Sequence, residues 1–263
     1  MNRVLVVCSI ALAAACGGSP DPGPLPTPEA ANQAVVDSVW ALARSQFTAG
    51  RWADAAANFD RVALELRPGD PRVAAGRFYL GEARLAMKQH FEAAREFRRV
   101  ADETPNDPLA PRALLRAGDA FADLWSRPEL DPSYGETARS TWQELRNRYP
   151  ASAAATVAQA RLAELDEKFA WKLYQSGVYY HRLKAYDSGI IYFKDVVATY
   201  PRTAAAPRAL VKLVQAYRIL GYAEDRAETC DYVRRFHPDD AEAAAACPAP
   251  VAVDTSAAAR PPS

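Results

Sequence analysis

Residues 189–203 read GIIYFKDVVATYPRT, and this stretch carries the pattern that decides the fold. Phe193 follows Gly189 by four positions, Val196 comes three positions later, and Pro201 five positions after that. Residues spaced by three and four lie on one face of an α-helix, and a proline stops the helix because it lacks an N–H group. The stretch therefore predicts an amphipathic helix that buries a small residue and an aromatic ring and ends near Pro201.

The same spacing recurs in earlier parts of the chain. A small residue, an aromatic ring, an aliphatic residue and a proline are separated by four, three and five positions at Ala93, Phe97, Val100 and Pro105, and at Ala138, Trp142, Leu145 and Pro150. Residues 55–68 repeat the pattern with one extra position, and residues 226–238 keep the spacing but lose the small and aromatic residues. Five helical segments thus end at prolines, namely Pro68, Pro105, Pro150, Pro201 and Pro238.

Residues that favour helix starts follow these prolines. Asp70-Pro71 and Asp107-Pro108 each place a capping carboxylate before a proline, and Ser152 and Thr203 offer hydroxyl caps. Period-two alternation is absent, so the pattern predicts an all-α fold of paired helices. The arrangement resembles the tetratricopeptide repeat, and we expect a right-handed superhelix of about five helical hairpins. These five units span residues 33–68, 70–105, 107–150, 152–201 and 203–238.

Two units depart from the regular length. The insertion SRPELDPS at residues 126–133 lengthens unit three, and residues 153–181 predict one long first helix in unit four. Gly50 and Gly221 mark the turns inside the first and the last hairpin, because glycine accepts the left-handed backbone of such turns.

The composition is that of a folded protein without a dominant charge. The chain has 263 residues, with 32 Lys and Arg against 32 Asp and Glu, so no basic excess is available for a nucleic-acid backbone. Five Trp, twelve Tyr and nine Phe exclude a chain that is disordered throughout. The only long apolar run lies at the N-terminus, which excludes a protein with several membrane spans.

The N-terminus predicts export and lipid attachment. Residues 1–15 combine a positive start at Arg3 with an apolar run that is too short to span a bilayer, as in a signal peptide. Small residues precede Cys16 as in a bacterial lipobox, where the cysteine is acylated and becomes the mature N-terminus. One departure is Ala13, three positions before the cysteine, where Leu is usual. The alternative is an ordinary signal peptide with an incidental cysteine.

A proline-rich tether follows the predicted lipidation site. Residues 16–32 carry a proline at every second position from Pro20 to Pro28, which favours an extended polyproline II segment. Such a segment holds a folded body away from a membrane. A glycine rather than an aspartate after the cysteine fits sorting to the outer membrane.

The C-terminus predicts a tail and leaves one question about cysteines. Residues 239–263 are rich in Ala and Pro and predict disorder beyond one short helical turn. Cys8 would leave with the signal peptide and Cys16 would be acylated, so Cys230 and Cys247 remain. In an oxidising compartment these two can form a disulfide that pins the start of the tail to the last helix. The alternative is two free thiols.

The chain carries no motif of a catalytic, cofactor or metal site. It lacks the dinucleotide-binding glycine pattern, the phosphate-binding loop, H-E-x-x-H and C-x-x-C. His90, His181 and His237 lie far apart in sequence, each near a helix end. We therefore expect no enzyme activity, no cofactor and no metal, and a protein that acts by binding other polypeptides.

The predicted superhelix has a concave groove lined by the first helix of each hairpin, a surface suited to peptides or partner helices. Trp40, Arg44 and Phe47 recur at helical spacing in unit one, and Phe78 takes a comparable place in unit two. For Phe47 and Phe78 the alternative is packing between hairpins. Trp40 is the stronger groove candidate, because other residues already mark the buried stripe of its helix.

The order of these segments resembles the outer-membrane β-barrel assembly lipoproteins of the BamD (YfiO) family. The shared features are the lipobox, the short linker, the five repeats and several pairs of residues between Tyr134 and Pro238. These pairs are Tyr149-Pro150 with Ser152, Leu162 with Leu165, Tyr179-Tyr180, and Tyr200-Pro201 with Thr203. The resemblance covers residues 33–238 and implies a lipid-anchored protein on the periplasmic face of the outer membrane.

The resemblance also implies two kinds of partner. Units one and two would bind the C-terminal signals of unfolded barrel proteins through Trp40, Arg44 and Phe78. Units four and five would bind the periplasmic domains of a BamA-type insertase through Tyr192, Lys194 and Arg218. The helix around residues 192–198 is less basic here than in well-known relatives, so we expect the insertase contact to differ in detail.

Two other interpretations remain open from the sequence. One is a different exported repeat lipoprotein, such as a secretin pilotin or a cell-division adaptor that binds Tol proteins. The other is an enzyme that acts on peptidoglycan and has a helical-repeat body, although no catalytic set supports it.

Overall fold

The computed structural model describes residues 28–67 and 69–248, and all regular structure in this part of the chain is helical. Eleven helices follow one another there, and no strand occurs among the described residues. The predicted all-α fold class is confirmed. The helices are α1 (Pro28–Thr48), α2 (Trp52–Glu65), α3 (Arg72–Ala86), α4 (His90–Glu103), α5 (Ala110–Leu124), α6 (Ser133–Arg148), α7 (Ala153–Arg182), α8 (Tyr186–Thr199), α9 (Ala205–Leu220), α10 (Ala223–Phe236) and α11 (Ala241–Ala246).

Consecutive helices pair into five hairpins within the predicted units. α1 packs on α2, α3 on α4, α5 on α6, α7 on α8 and α9 on α10, and each hairpin also packs on the next. The long helix expected in unit four is α7, which has 30 residues. The predicted insertion of unit three lies in the segment between α5 and α6. The fold is a superhelix of helical hairpins, closed at its C-terminal end by the short α11.

The repeated aromatic residue packs against a glycine of its own hairpin. An added Cβ at Gly81 would lie 2.7 Å from the ring of Phe97, and one at Gly177 would lie 2.6 Å from the ring of Phe193. Each glycine precedes its aromatic partner by sixteen residues. Phe97 also belongs to the same buried hydrophobic cluster as Ala113 of the next hairpin. The aromatic residue therefore fills space within its hairpin and also belongs to the interface with the next hairpin, and the glycine lets the two helices approach.

Unit three follows the same rule with a longer interval because of its insertion. An added Cβ at Gly118 would lie 2.2 Å from Nε1 of Trp142, twenty-four residues later. The indole N–H of Trp142 donates a hydrogen bond to the carbonyl oxygen of Leu115 at 3.2 Å, so the buried polar atom has a partner. Trp125 is also buried and packs on Gly135, where an added Cβ would lie 2.3 Å from the ring.

Left-handed backbone closes the short turns of four hairpins. Gly50 and Gly221 have φ angles of 73° and 77°, at the two turns that the sequence predicted. Lys88 and Lys184 occupy the matching turns of units two and four, with φ angles of 63° and 60°. A residue with a side chain costs about 1 kcal/mol more than glycine in this conformation, so both lysine turns carry local strain.

Of the four residues predicted to cap helices, only Ser152 is a helix N-cap. Ser152 caps α7 as predicted, because its hydroxyl accepts from the backbone N–H three residues on at 3.2 Å. Asp70 and Asp107 each accept from the N–H group two residues on at 2.8 Å, in the turns that lead into α3 and α5. Thr203 differs from the prediction, since its hydroxyl donates to the carbonyl oxygen of Tyr200 at 2.8 Å instead of capping α9.

The N-terminal end of the described chain is more helical than the sequence suggested, whereas the C-terminal end carries the short helical turn that was expected at the start of the tail. α1 begins at Pro28, so the last residues of the segment 16–32 assigned to the tether belong to a helix. At the other end, residues of the segment 239–263 assigned to the tail form α11, and Ala243 of this helix is fully buried. None of the helices in residues 28–67 and 69–248 combines the length and apolar character needed to cross a bilayer.

Several predictions concern residues outside the described part of the chain. They are the signal peptide at residues 1–15, lipidation at Cys16, the first part of the tether, the proline at position 68, and the tail after residue 248. They stay predictions.

The first helices of the hairpins form the inner face of the superhelix. α3 approaches α5, α5 approaches α7, and α7 approaches α9, whereas no second helix in the described residues comes comparably close to the next second helix. Closer spacing on the first-helix side makes this the inner side of the curve. The second helices form the outer face, where long side chains link neighbouring units, as between Arg98 and Glu144 at 3.0 Å.

Candidate binding surfaces

A cleft of about 330 Å³ lies between α5 and α7, in the middle of the inner face. Its walls carry both signs of charge, with Arg116 and Asp119 on α5 and Arg161 and Lys168 on α7. Arg116 donates two hydrogen bonds, both at 2.7 Å, to the carboxylate of Glu82 on α3. Nε of Arg161 lies 3.4 Å from Asp119. These pairs form a ladder across three successive units.

Burial shifts the pKa of two groups in this cleft. Burial raises the pKa of the Asp119 carboxyl, although the positive charges of Arg161 and Arg116 oppose this effect. Burial also lowers the pKa of Lys168, whose ammonium lies 4.6 Å from the centre of the Trp125 ring and donates to the Trp125 carbonyl oxygen. Most of the charge is satisfied within the chain, so this cleft links units and offers little free charge to a ligand.

A second cleft of the inner face, about 360 Å³, lies beside α7 and α9 and is aromatic and basic. The rings of Trp171 and Tyr174 stack with centroids 5.3 Å apart, and the guanidinium of Arg208 lies 5.5 Å from the Trp171 ring. Lys212 lines the cleft and donates to a glutamine amide. Burial, followed by the charge of Lys212, lowers the pKa of the lining residue His181. Flat rings beside cations suit a peptide with aromatic side chains and carboxylates.

The two predicted peptide-binding residues of unit one differ in exposure. Trp40 is half-buried, with its ring edge-on to Phe59 at 5.6 Å and to Tyr79 at 6.5 Å between centroids. Arg44 lies one turn further along α1 and is exposed. Arg44 is therefore accessible to a partner, and the partly exposed Trp40 lies one turn before it on the same helix.

Phe78, the third predicted peptide-binding residue, is part of the core. Only 4% of the residue is exposed, and its ring packs on Phe97 with centroids 5.3 Å apart. The guanidinium of Arg112 lies 4.9 Å from the ring centre on α5. Both contacts cover the ring, so Phe78 packs between hairpins and is not available to a peptide. Phe47 is half-buried and also packs between hairpins, with its ring edge-on to that of Tyr79 on α3 and centroids 5.2 Å apart.

The three predicted insertase-binding residues lie in three different depressions. Tyr192 stacks on Tyr180 with centroids 5.4 Å apart and lines a cleft of about 330 Å³ beside the insertion of unit three. Lys194 lies at the edge of a cleft of about 490 Å³ between α8, α9 and α10, and its ammonium is 3.7 Å from the carboxylate of Asp225. Arg218 is exposed and lines a cleft at the C-terminal end of the superhelix. The structure does not bring the three residues onto one surface.

The cleft beside Lys194 has an apolar floor and a charged rim. Val197, Leu210 and Leu213 line its floor, and Lys194 and the opposing Asp225 stand at its edge. An apolar centre within a polar rim is the usual composition of a protein interface. This outer cleft is therefore the best-formed candidate for a protein partner.

A disulfide joins Cys230 on α10 to Cys247 just after α11, with Cα atoms 5.2 Å apart. It is the pairing that the sequence left open. Ala243 and Cys247 are buried in the same hydrophobic cluster as the residues of α9. The bond fastens α11 across the end of the last hairpin.

Sequence reasoning missed two groups of residues that the structure brings together. Trp171 and Tyr174 are three positions apart, a helical spacing that is visible in the sequence but does not tell an inner face from a core face. Arg226 and Arg234 of α10 meet Arg218 of α9 around one cleft. The spacing of these arginines in the sequence does not predict this, because it depends on how α9 packs against α10. In the described ranges no cluster of three His, Cys, Asp or Glu residues is placed to hold a metal ion.

Known proteins match this chain over most of the described helices. The model of the YfiO family, described as outer membrane lipoproteins, matches residues 28–232. The outer membrane protein assembly factor BamD of Caulobacter vibrioides is 23% identical over 190 residues, and that of Vibrio cholerae is 31% identical over 112 residues. These alignments cover 72% and 43% of this chain. The chain spans only 62% of the Caulobacter relative and 46% of the Vibrio relative.

Solved structures of helical repeats are also similar. The tetratricopeptide-repeat domain of P58(IPK) matches with a TM-score of 0.46 and 15% identity, over 82% of this chain and 55% of that chain. The family match extends from the start of α1 into α10. The chain belongs to the YfiO family of outer membrane lipoproteins.

Proposed function

We propose that this protein is a lipid-anchored scaffold for the assembly of β-barrel proteins, at the periplasmic face of the outer membrane. The observation that carries the proposal is the family match over residues 28–232, on a hairpin stack whose clefts present aromatic, basic and apolar side chains. The two BamD relatives are named assembly factors for outer membrane proteins. Clefts of this kind bind polypeptides, and the scaffold needs no bond-making step.

The anchor in this proposal is an acylated Cys16. One acyl chain holds a protein only marginally at a membrane, whereas two or more hold it stably. The proline-rich segment after Cys16 would then keep the superhelix away from the lipid surface.

The inner face is the surface that we assign to the signals of unfolded barrel proteins. At its N-terminal end, the exposed Arg44 stands beside the half-buried Trp40. Toward its C-terminal end, Trp171 and Tyr174 stack beside cationic side chains. An extended peptide would place its apolar side chains on the rings and its terminal carboxylate on a cation.

The outer cleft between α8, α9 and α10 is the surface that we assign to the insertase. Its apolar floor would accept a buried side chain of the partner, and Lys194 at the rim would orient a carboxylate. Tyr192 lies on the same helix but lines the cleft beside the insertion of unit three, so it is left out of this surface. Arg218 faces elsewhere and is left out of this surface.

Affinity purification of a tagged full-length chain from detergent-solubilised outer membrane tests the proposal. We expect the barrel insertase to be recovered with the wild type. Lys194→Glu should lose most of that recovery, because it reverses the charge at the rim of the outer cleft. Arg146→Glu is the matched control, since it reverses an exposed charge on α6, away from this cleft, and should keep the insertase.

Other outcomes of the same preparation would contradict the proposal. Recovery of a secretin or of Tol proteins in place of the insertase would indicate a pilotin-like or cell-division adaptor. Turnover of cell-wall fragments would indicate an enzyme. A Cys16→Ser variant that is recovered in the membrane as fully as the wild type would contradict the lipid anchor.

A further inference from the structure

The C-terminal end of the superhelix holds a cleft of about 490 Å³ that shares no lining residue with the two inner-face clefts or with the cleft beside Lys194. α9 and α10 form two of its walls, and the segment from α11 to Pro248 forms the third. The volume lies within the usual range of ligand-binding clefts.

Three arginines line this cleft and no carboxylate does. Arg226 and Arg234 lie two turns apart on α10 with Cys230 between them, and Arg218 projects from α9. Arg234 has Asp231 as a partner on its own helix, whereas Arg218 and Arg226 form no ion pair with any of the described residues. The rest of the lining is small and apolar apart from one glutamine amide. The cleft thus presents unneutralised positive charge over an apolar floor.

The disulfide is one of three attachments that hold the third wall in place. α11 has only six residues, and so short a helix is not stable by itself. Three attachments hold it in place. Asp240 caps its first turn by accepting a hydrogen bond from the N–H of Ala243 at 2.8 Å. The side chain of Ala243 is buried against the last hairpin, and Cys247 is bonded to Cys230.

We propose that this cleft binds an acidic peptide segment of a partner protein and that the Cys230–Cys247 bond holds one wall of the site. Guanidinium groups bind carboxylates through pairs of parallel hydrogen bonds, and the apolar floor accepts short aliphatic side chains between them. The chain's own residues 249–263 contain one Asp and one Arg, so they do not supply the complementary charge. The inference rests on this cleft and not on the assembly role.

Fluorescence anisotropy with the full-length chain and two synthetic peptides tests this site. One labelled peptide alternates Glu and Ala, and its matched partner alternates Gln and Ala. We expect binding of the first peptide only, and an affinity about tenfold weaker for Arg226→Glu, since a charge-assisted hydrogen bond becomes a repulsion. Arg235→Glu is the matched control, because Arg235 is exposed on the same helix but does not line the cleft.

The disulfide is tested with Cys230→Ser/Cys247→Ser and with reduced wild type, after far-UV circular dichroism has shown that the helices remain. Both should bind the Glu peptide about tenfold more weakly. Unchanged affinity would overturn the role assigned to the bond. Equal weakening by Arg226→Glu and Arg235→Glu, or equal binding of the two peptides, would overturn the site itself.

A membrane surface is the competing occupant. Phosphatidylglycerol vesicles that bind the wild type but not Arg226→Glu, without any binding of the Glu peptide, would assign the cleft to anionic lipid and overturn the peptide proposal. Because the experiment uses purified protein and synthetic probes, its failure is distinguishable from a failure to recover the insertase.

Discussion

The second helix of unit two is buried far more deeply than the second helix of the last unit. Phe97 and Val100 of α4 are fully buried, whereas α10 buries only Val233. The next unit also reaches back to α4, where Arg148 of α6 donates to the carbonyl oxygen of Ala101 at 2.8 Å. No further hairpin follows the last unit among the described residues, and this unit is closed by α11 and the disulfide.

This difference follows from position within the repeat. A hairpin in the middle of a stack shares an interface with a neighbour on each side, and a terminal hairpin has only one. The last hairpin therefore gains less stability from packing than an interior hairpin. Its disulfide compensates, because a covalent bond restricts the unfolded chain and so favours the folded state. The interior is therefore sensitive to volume, and the end is sensitive to the oxidation state of two cysteines.

Adding one methyl group to the interior of the stack should cause the largest loss of stability. In Gly118→Ala the new Cβ would lie 2.2 Å from Nε1 of the buried Trp142, so the indole must move and its hydrogen bond to Leu115 must distort. We expect the free energy of unfolding to fall by about 3 kcal/mol, the upper part of the usual range for overpacking. Urea denaturation followed by circular dichroism measures this change.

Gly76→Ala is the matched control for that substitution. The nearest atom to its added Cβ is Cζ3 of Trp40 at 3.4 Å, an ordinary contact. Alanine favours a helix over glycine by about 1 kcal/mol, so this variant should be as stable as the wild type or slightly more stable. Equal destabilisation by both alanines would contradict the packing explanation.

Removing the disulfide should cause the next largest loss of stability, and this loss should be confined to the C-terminal end of the stack. The bond closes a loop between residues 17 positions apart, and in Cys230→Ser/Cys247→Ser the opening of α10 and α11 should become easier by about 2 to 3 kcal/mol. Hydrogen exchange should show faster exchange in these helices and unchanged protection in α4 and α6. A uniform loss of protection along the chain would mean that the last hairpin is not an independent element.

Ion pairs join units one and two, and we expect the smallest loss of stability when one of these pairs is removed. Arg72 lies 2.8 Å from Asp70 and 2.6 Å from Asp37 of α1. The hydrogen bond from Arg72 holds the pKa of Asp70 below its usual value of 3.8. A lowered pKa in the folded state contributes stability above the unfolded value and loses it as the pH falls through the folded value.

Asp70→Asn should therefore destabilise the protein near neutral pH and not in acid. Asparagine keeps the oxygen that accepts from the N–H of Arg72 and removes only the charge. We expect a loss of about 1 kcal/mol at pH 7 that disappears by about pH 2, measured by urea denaturation at both values. A loss of the same size at both values would show that the cap, and not the charge, is what Asp70 contributes.

Local signals in the sequence were enough to predict the hairpins. Prolines end helices and a serine cap starts one by contacts within a few residues, so the boundaries of five units and the 30-residue α7 could be read in advance. The glycine turns at Gly50 and Gly221 are local in the same sense. The glycine that faces each aromatic ring could also have been found, because it recurs sixteen residues earlier in units two and four.

The candidate surfaces could be predicted only in part. Arg44 and Lys194 are exposed as expected, but Phe78 is covered by Phe97, and Arg218 faces a different cleft from Lys194. Helical spacing states which residues share a stripe. It does not state which stripe the next hairpin covers.

By itself the amino-acid sequence determined the class of fold, the number of hairpins and the family, because these depend on short-range backbone preferences and on a repeated spacing. Only the tertiary structure decided which side chains stay accessible, which arginines meet around one cleft, and which end needs a covalent bond. These properties depend on how far each helix is rotated about its axis. That rotation is set by side-chain packing between residues distant in the chain.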